Sequence, residues 1–280
     1  MRESPQTALL RRLLPIGAAV SISEILEQTQ TKCTELPLLV RSLEEGGFVF
    51  RTTEREISLV GEPDALVPEA IRARLRTLAM GRDIVVFRET SSTNDRVRQA
   101  GISGAAEGLA IFAESQTRGR GTYGRKWASG GGDGLWFSIL LRSRMRANEL
   151  PGLVRLAAVA CAEVIERWVG RRVHIKPPND LILGEGKLAG FLLETSNGWD
   201  FQVLGIGINT RSAPSLPGYP TAAMEQFSIA KVSRNALAAD LLDGLDDWYY
   251  NKSGDQVELA FENRCIDRGR AGSPSRPVSG

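Results

Sequence analysis

The sequence has 280 residues, enough for one large domain or for a large domain with a small one. Hydrophobic residues make up 42% and charged residues 24%, as in ordinary globular proteins, and the net charge of +2 gives no global basic field that would favour nucleic acid. No apolar run approaches the roughly 20 residues that span a bilayer, and the amino-terminal residues lack a signal-peptide pattern, so we expect a cytoplasmic protein with no membrane partner.

Residues 1–62 predict a small domain of three helices and a β-hairpin. Leucines at helical spacing mark a first helix near residue 10, and a serine suited to the N-cap position starts a second near residue 21. A third helix is expected at 34–45, where a Gly-Gly pair ends it, and strands are expected at 48–52 and 56–60. This layout is typical of a winged helix-turn-helix domain.

The charge of this first domain gives weak support to DNA binding, the usual function of such a layout. Residues 1–60 contain seven Lys and Arg and eight Glu, whereas a phosphate backbone needs clustered cations. The candidate recognition helix offers Arg41, with Lys32 nearby. DNA binding therefore stays open, and the alternative is a structural domain of the same shape.

Residues 63–81 predict a short helical linker, and residues 82–253 predict a larger domain in which strands and helices alternate. Strands are expected at 84–87, 108–114, 135–141, 172–176, 180–184, 187–195 and 201–209, and helices at 94–100, 148–169 and 233–250. The mixture of hairpins with long helices favours an α+β fold over a strict βαβ repeat.

The cysteine and histidine content excludes several classes of site. Cys33, Cys161 and Cys265 lie far apart, so they form neither a disulfide framework nor a CxxC metal site. His174 stands alone in a predicted strand, which excludes a zinc site built from several histidines. Any chemistry must therefore use lysine, arginine, backbone amides or a metal bound by oxygen ligands.

The segment 115–127, SQTRGRGTYGRKW, combines three glycines with four cations. Glycines let backbone N–H groups approach an anion, and arginines hold phosphate and carboxylate oxygens by paired hydrogen bonds. The segment therefore predicts a loop that binds an anionic ligand such as a nucleotide phosphate. The alternatives are a flexible surface loop and a nucleic-acid contact. Its glycine spacing fits neither a P-loop nor a Rossmann fingerprint.

A second informative segment, 175–194, places a lysine beside a turn. Pro177-Pro178 breaks the strand, Asn179-Asp180 occupies the turn, and the following hairpin brings Lys187 back next to it. Gly190 is expected to leave open space near that strand. A lysine in this position can act as a point charge on a phosphate, although an ordinary exposed lysine is the alternative.

Two shorter segments predict close contact with a ligand. Ser92, Thr93 and Asn94 follow a strand and open a helix, where hydroxyls and free N–H groups suit a polar head group, although simple N-capping is the alternative. The stretch 205–209, GIGIN, has two glycines within a strand and ends in Asn209. Such glycines predict that a ligand or another backbone approaches closely.

In this order, the four segments resemble the motifs of the biotin protein ligase family. The matching positions are Ser92, Thr93 and Asn94, then Gly119, Arg120, Gly121, Gly124, Arg125 and Trp127, then Lys176, Pro178, Asn179 and Asp180, then 187–190 and 205–209. The resemblance covers about 82–250. It implies a mixed-sheet catalytic domain similar to class II aminoacyl-tRNA synthetases. With the amino-terminal layout, the chain resembles the bifunctional ligase/repressor type.

The resemblance implies a two-step reaction with ATP, biotin and Mg²⁺. Biotin would be activated as biotinyl-adenylate and then transferred to a lysine of a biotin carboxyl-carrier protein or domain; a homodimer is compatible with the family. The resemblance implies catalytic roles for Lys187 and Arg120 and a metal contact for Asp180. Biotin would contact Ser92, Thr93, Asn94, Gln116, Arg120, Gly121, Thr122 and Lys187. The nucleotide would contact Gly119, Arg125, Trp127, Asn179, Asp180, Gly190 and Asn209.

Three departures from the family pattern keep alternatives open. Thr122 stands where the family usually has arginine, and Pro177 stands where it has tryptophan. Residues 254–280 are expected to be a remnant of the family's small carboxy-terminal β-barrel, with a disordered tail from about 265. The alternatives are a related lipoate-type ligase and a biotin-responsive transcriptional repressor with reduced ligase activity.

Overall fold

The computed structural model describes residues 3–77, 79–143, 149–195, 198 and 200–266. Its amino-terminal part contains three short strands and four helices. In chain order these are α1 (Pro5–Arg12), β1 (Ala19–Ser21), α2 (Ile22–Thr29), α3 (Leu36–Glu45), β2 (Val49–Thr52), β3 (Glu56–Gly61) and α4 (Pro68–Arg74).

The amino-terminal strands form a small antiparallel sheet in the order β1-β3-β2, and α1–α3 pack against it. The three predicted helices and the hairpin are confirmed to within a few residues. Strand β1 was not predicted, because three residues are too few to show alternation of apolar and polar side chains.

The larger part of the chain contains seven strands and four helices in the described ranges. They are β4 (Ile84–Thr90), α5 (Thr93–Ile102), β5 (Ala110–Gln116), β6 (Gly134–Leu141), α6 (Pro151–Val169), β7 (Val173–Lys176), β8 (Asp180–Leu183), β9 (Gly186–Glu194), β10 (Gln202–Asn209), α7 (Arg234–Asn251) and α8 (Gly254–Glu262). Every strand and helix predicted for 82–253 is present with shifted ends.

These seven strands form one mixed sheet in the order β4-β5-β6-β10-β9-β8-β7. Only the pair β4–β5 is parallel, which confirms the predicted mixed α+β arrangement. The long helix α6 begins at Pro151 and ends before Gly170, which adopts φ +64°, and it packs with α7 and α8 over one face of the sheet. On the opposite face, α5 packs against β5, β6 and β10 and leaves part of the central strands uncovered by helix.

The segment predicted as a linker is firmly attached to the larger part. Its helix is limited to α4, and α4 contributes to two hydrophobic cores. Ala70 and Ala73 of α4 pack with the amino-terminal core. Ile71 of α4, together with Leu66 just before the helix, packs with the core of the large sheet. The two parts of the chain therefore share this helix rather than hanging on a flexible connection.

The carboxy-terminal part is described up to residue 266. Residues 254–262 form α8, which seats Val257 and Phe261 in the main core. The backbone of residues 264–266 then bonds to Ile175 of β7, so this stretch is ordered. The tail predicted to be disordered lies mostly in 267–280, outside the described residues. None of the described helices has both the length and the apolar character needed to cross a bilayer.

Candidate active site

A cavity of about 840 Å³ opens between the exposed face of the large sheet and the glycine–arginine segment. The structure brings together in its wall every residue that the sequence predicted for the site. These are Ser92, Thr93, Asn94, Gln116, Gly119, Arg120, Gly121, Thr122, Arg125, Trp127, Asn179, Asp180, Lys187, Gly190 and Asn209. Their individual roles are not shown by this placement and stay predictions.

A network of side-chain hydrogen bonds forms one end of the cavity. Gln116 Oε1 accepts hydrogen bonds from the backbone N (2.8 Å) and Oγ1 (3.2 Å) of Thr93. Thr93 Oγ1 also lies 2.7 Å from Ser138 Oγ, which donates to Asn94 Oδ1 over 2.5 Å. Asn94 Nδ2 is buried and has no partner. The network thus fixes the Asn94 amide and leaves a donor for a ligand oxygen.

These contacts decide against the N-capping alternative for Ser92, Thr93 and Asn94. Ser92 occupies the N-cap position of α5, but its side chain makes no capping bond. All three residues are buried beside the cavity. The sequence prediction missed Ser138, whose only signal was one hydroxyl in the apolar run of β6. It also missed Ser129, which accepts a 2.9 Å bond from Gln116 Nε2.

Residues Gly119–Trp127 form a small hairpin that covers the cavity, called the lid hairpin below. Gly121 N donates to Arg125 O (2.7 Å), and Trp127 N donates to Gly119 O (3.0 Å). Tyr123, at its tip, is 87% exposed and adopts φ +57°. The segment is therefore an ordered cover with its own hydrogen bonds, not the flexible surface loop that composition alone left open.

The indole of Trp127 anchors the lid hairpin on two glycines of the sheet. A Cβ atom added to Gly207 would lie 2.6 Å from the indole, and one added to Gly190 would lie 2.9 Å from it. A Cβ at Gly205 would likewise lie 2.3 Å from Asn94 Oδ1. Gly190 borders the cavity, as the prediction of open space beside its strand required, although the indole occupies the position of a Cβ there. Side chains rather than a backbone approach the GIGIN glycines.

Lys187 lies on β9 with its ammonium group in the cavity wall. Its Nζ is 2.7 Å from Asp180 Oδ1 and 5.2 Å from the centre of the Trp127 ring. Neighbouring amides brace this corner: Asn179 Nδ2 donates to Phe191 O (2.7 Å), and Asn209 Nδ2 donates to Ala222 O (3.1 Å). In the described part of the chain, no three His, Cys, Asp or Glu side chains converge as a metal-binding group.

The two predicted arginines of the lid hairpin have different surroundings. Arg120 bonds to two carboxylates, those of Asp95 and Glu194. Arg125 is exposed and stacks with its guanidinium 5.7 Å from the centre of the Tyr123 ring. The hydrogen bonds and the charge of Arg120 hold the pKa of the Asp95 carboxyl below its usual value.

The far wall of the cavity comes from a segment that the sequence prediction missed. Residues 214–221 reach the site because Lys187 N donates to Pro220 O and Ala222 N donates to Lys187 O, both over 2.9 Å. Leu216 and Tyr219 are exposed at this rim, and Lys176 Nζ lies 5.8 Å above the Tyr219 ring. No motif marks this loop, and its position depends on long-range pairing with β9.

Comparison with known proteins identifies the family. The chain matches the Biotin/lipoate A/B protein ligase family over residues 86–210. It is 32% identical to the biotin–acetyl-CoA-carboxylase ligase of Mycobacterium tuberculosis over 216 residues, which cover 72% of this chain and 79% of that protein. The chain belongs to the biotin protein ligase family. Its seven-stranded mixed sheet and flanking helices are therefore the catalytic fold of a biotin protein ligase.

Two further relatives show how much of each chain the similarity covers. The biotin protein ligase from Aquifex aeolicus, solved in complex with biotin and ATP, has a TM-score of 0.58 and 27% identity, over 66% of this chain and 79% of that one. The bifunctional ligase/repressor BirA of Bacillus subtilis is 33% identical over 180 residues, or 63% of this chain. The match spans only 55% of the length of that relative.

Proposed function

We propose that the chain is an ATP-dependent biotin protein ligase that makes biotinyl-adenylate and transfers biotin to a lysine of an acceptor protein. The observation that carries the proposal is that one cavity, covered by the lid hairpin, is lined both by residues of the polar network and by Lys187. Such a cavity can hold an uncharged polar ring and two anionic groups side by side. Because the chain belongs to the biotin protein ligase family, we assign biotin and ATP as the substrates that fill this cavity.

The polar network is the end that suits the ring of biotin. The ureido group of biotin has one carbonyl oxygen and two N–H groups, so it needs both donors and acceptors. Asn94 Nδ2 is a buried donor without a partner, and the hydroxyl of Ser92 can act as donor or acceptor. Because a site built from buried polar groups rejects ligands that leave them unpaired, this end supports biotin over lipoate.

Lys187 is the residue that we assign to the first chemical step. A carboxylate oxygen of biotin attacks the α-phosphorus of ATP, the bond to the β-phosphate oxygen breaks, and pyrophosphate leaves. Both reacting groups are anionic, so bringing them together is the main obstacle. The Lys187 ammonium group, held in place by Asp180, offers positive charge where the negative charges of the carboxylate and the α-phosphate come together.

The residues present fit a magnesium ion that arrives with ATP. Mg²⁺ prefers oxygen ligands and is usually held by one or two carboxylates together with nucleotide phosphates. Asp180 supplies one carboxylate in the cavity wall. Bound there, the ion would neutralise negative charge on the phosphates of ATP.

In the second step, a lysine amine of the acceptor attacks the carbonyl carbon of the mixed anhydride, and AMP leaves as the carbon–oxygen bond breaks. The acceptor is proposed to be the carboxyl-carrier domain of a biotin-dependent carboxylase, since the mycobacterial relative is a biotin–acetyl-CoA-carboxylase ligase. The lid hairpin must allow the acceptor amine to enter while it retains the adenylate.

The proposal is tested by incubating the purified chain with biotin, ATP, Mg²⁺ and a carboxyl-carrier domain. Intact-mass measurement should show one biotinyl group on the acceptor, and no product when ATP is omitted. A parallel reaction with lipoate separates the related ligase class. Modification by lipoate but not by biotin would reject the assignment, and so would the absence of either product.

The amino-terminal part is proposed to be a winged helix-turn-helix domain of residues 1–62, followed by the segment 63–81 and the catalytic domain 82–253. The order of three helices and a sheet paired β1-β3-β2 supports this assignment. It also makes biotin-responsive repression the second candidate function. The seven cations and eight carboxylates of residues 1–60 weigh against strong binding to phosphates.

A gel-shift titration separates the two candidates. With fragmented genomic DNA at increasing salt, we expect no shift that depends on biotin and ATP, because the amino-terminal surface lacks a net positive charge. A salt-sensitive shift that appears only with both ligands would instead establish a repressor. Sedimentation of the same samples would show whether the chain forms a homodimer.

A further inference from the structure

The side chain of Arg120 is held by protein carboxylates. Its Nη1 donates to Asp95 Oδ2 over 3.0 Å, and its Nη2 donates to Asp95 Oδ1 over 2.9 Å, which is the paired geometry that arginine and carboxylate favour. The same Nη2 also donates to Glu194 Oε1 over 3.1 Å. The two terminal nitrogens of this guanidinium are thus engaged on the protein side.

The two carboxylates lie on separate elements, each of which also carries residues that line the cavity. Asp95 lies in the first turn of α5, directly after Thr93 and Asn94 of the polar network. Glu194 is the last residue of β9, the strand that carries Lys187. Arg120 is in the lid hairpin, so its bonds tie the hairpin to α5 and to β9 at once.

These ion pairs are partly buried, so their attraction contributes to holding the lid hairpin in place. The side chains of Arg120, Asp95 and Glu194 are 34%, 23% and 23% exposed, so water and salt screen them less than they screen surface pairs. The Asp95 bond raises the pKa of Arg120, and the Arg120 bond lowers the pKa of Asp95. Arg120 and Asp95 therefore keep their charges at neutral pH.

We propose that Asp95 and Glu194 are positioning residues that form a latch, which holds the lid hairpin closed through Arg120 and so controls how long the acyl-adenylate stays bound. The inference rests on the proposed function. The latch is a second anchor beside Trp127, and the backbone bridge between Arg120 and Lys126 couples the two strands of the hairpin. A cover ordered in advance loses less conformational entropy when ligands bind.

The simpler alternative is that Arg120 binds the adenylate directly. The two roles predict opposite changes in the rate of adenylate release when Asp95 and Glu194 lose their charges. If Arg120 grips the ligand, removal of the competing carboxylates would free the guanidinium and slow release of the adenylate. If Arg120 closes the lid, their removal opens the cover, and release becomes faster. The sign of one rate change therefore distinguishes the two roles.

The experiment measures release of biotinyl-adenylate after a single turnover in Asp95→Asn, in Glu194→Gln and in the double variant. These amides keep the shape of the side chain and remove its charge. We expect about tenfold faster release in Asp95→Asn, which loses a paired charge-assisted bond, a smaller effect in Glu194→Gln, and the largest in the double variant. At saturating substrates, ATP–pyrophosphate exchange should change less than release does.

Arg98→Gln is the matched control, because Arg98 also pairs with Asp95 (3.1 Å) but lies on α5 outside the lid hairpin. Its release rate should equal that of the unchanged chain, and Asp95→Glu should restore most of the retention. Thermal unfolding checks that each variant folds; if Asp95→Asn does not fold, Glu194→Gln at the strand end decides alone.

The outcomes separate the latch from the proposed function. If the unchanged chain makes no acyl-adenylate, the proposed function itself fails. If the chain makes it but the folded charge-removal variants release it at the same rate or more slowly, the latch is rejected. Faster release in Arg98→Gln as well would also reject the latch, since the effect would then follow from any loss of charge around α5.

Discussion

At the scale of single residues, the Lys187–Asp180 pair sets the charge of the catalytic corner. The 2.7 Å contact keeps the ammonium group oriented, while 27% of the Lys187 side chain stays accessible from the cavity. This arrangement allows a ligand carboxylate and phosphate to replace part of the Asp180 contact without desolvating a free charge. Lysine is suited to that exchange, because its three donors rotate on a flexible stem.

Lys187→Ala should slow acyl-adenylate formation by about 100-fold or more, since removal of a charge aimed at a developing anion typically costs that much. ATP–pyrophosphate exchange with biotin measures this step without an acceptor. Lys252→Ala is the control, because Lys252 follows the end of α7, pairs with Asp247 of that helix and does not line the cavity. Near-normal exchange in Lys187→Ala would contradict the assigned role.

Thr122 provides a second test at this scale, because it lines the cavity from the lid hairpin without carrying a charge. Thr122→Arg would add a guanidinium that can hold phosphate oxygens by paired hydrogen bonds. We expect release of the adenylate to slow about tenfold, measured by chase with unlabelled biotin and ATP. An unchanged release rate would show that position 122 does not face the adenylate.

At the scale of secondary structure elements, the glycines of β9 and β10 decide where the lid hairpin rests. Gly207→Ala places a Cβ 2.6 Å from the Trp127 indole, a distance that real side chains do not tolerate. The indole must move, and such overpacking typically costs about 1–3 kcal/mol. We expect lower stability in urea unfolding, altered tryptophan fluorescence and slower ATP–pyrophosphate exchange.

Gly152→Ala is the control for Gly207→Ala. Gly152 lies in the first turn of α6, and an added Cβ meets no atom within 4 Å. Alanine should therefore leave activity unchanged and stabilise the helix by about 0.5–1 kcal/mol. If Gly207→Ala behaved like this control, the seat of Trp127 on the strand would not position the lid hairpin.

The elements themselves were largely predictable from the sequence, whereas their contacts were not. Apolar periodicity located the long helix at 148–169 and the strands around 135–141, because these segments bury one face or both. The four polar segments gave the predicted site residues, all of which line the cavity. Ser138 and the loop 214–221 were missed, since their role depends on which strands lie side by side, and pairing between distant strands leaves no local pattern.

At the scale of the whole molecule, the two parts of the chain meet along a polar seam. Residues 63–67 run beside the first turn of α7, where Asn235 Oδ1 accepts a bond from Val67 N (2.8 Å) and Asn235 Nδ2 donates to Ala65 O (3.0 Å). Together with the shared helix α4, this seam makes the segment 63–81 a fixed joint. Sequence composition could not show this, because the partners are about 170 positions apart.

Arg234 lies at the centre of that seam, and its substitution tests whether the seam holds the two parts of the chain together. Its side chain is only 2% exposed, and it donates to Glu114 Oε2 and to Asp64 O, both over 2.7 Å. Arg234→Met keeps the volume but leaves Glu114 without its partner, and removal of one member of a buried pair costs about 3–5 kcal/mol. We expect that loss in urea unfolding, together with faster proteolysis between residues 60 and 67.

Asp200→Asn provides the matched control for Arg234→Met. Asp200 pairs with Arg142 over 2.6 Å, but its side chain is 82% exposed, so water screens the pair. Its loss should cost less than about 1 kcal/mol and should leave the proteolysis pattern unchanged. If both variants lost equally little stability, the seam would not hold the parts together, and hydrophobic packing on α4 alone would have to account for their association.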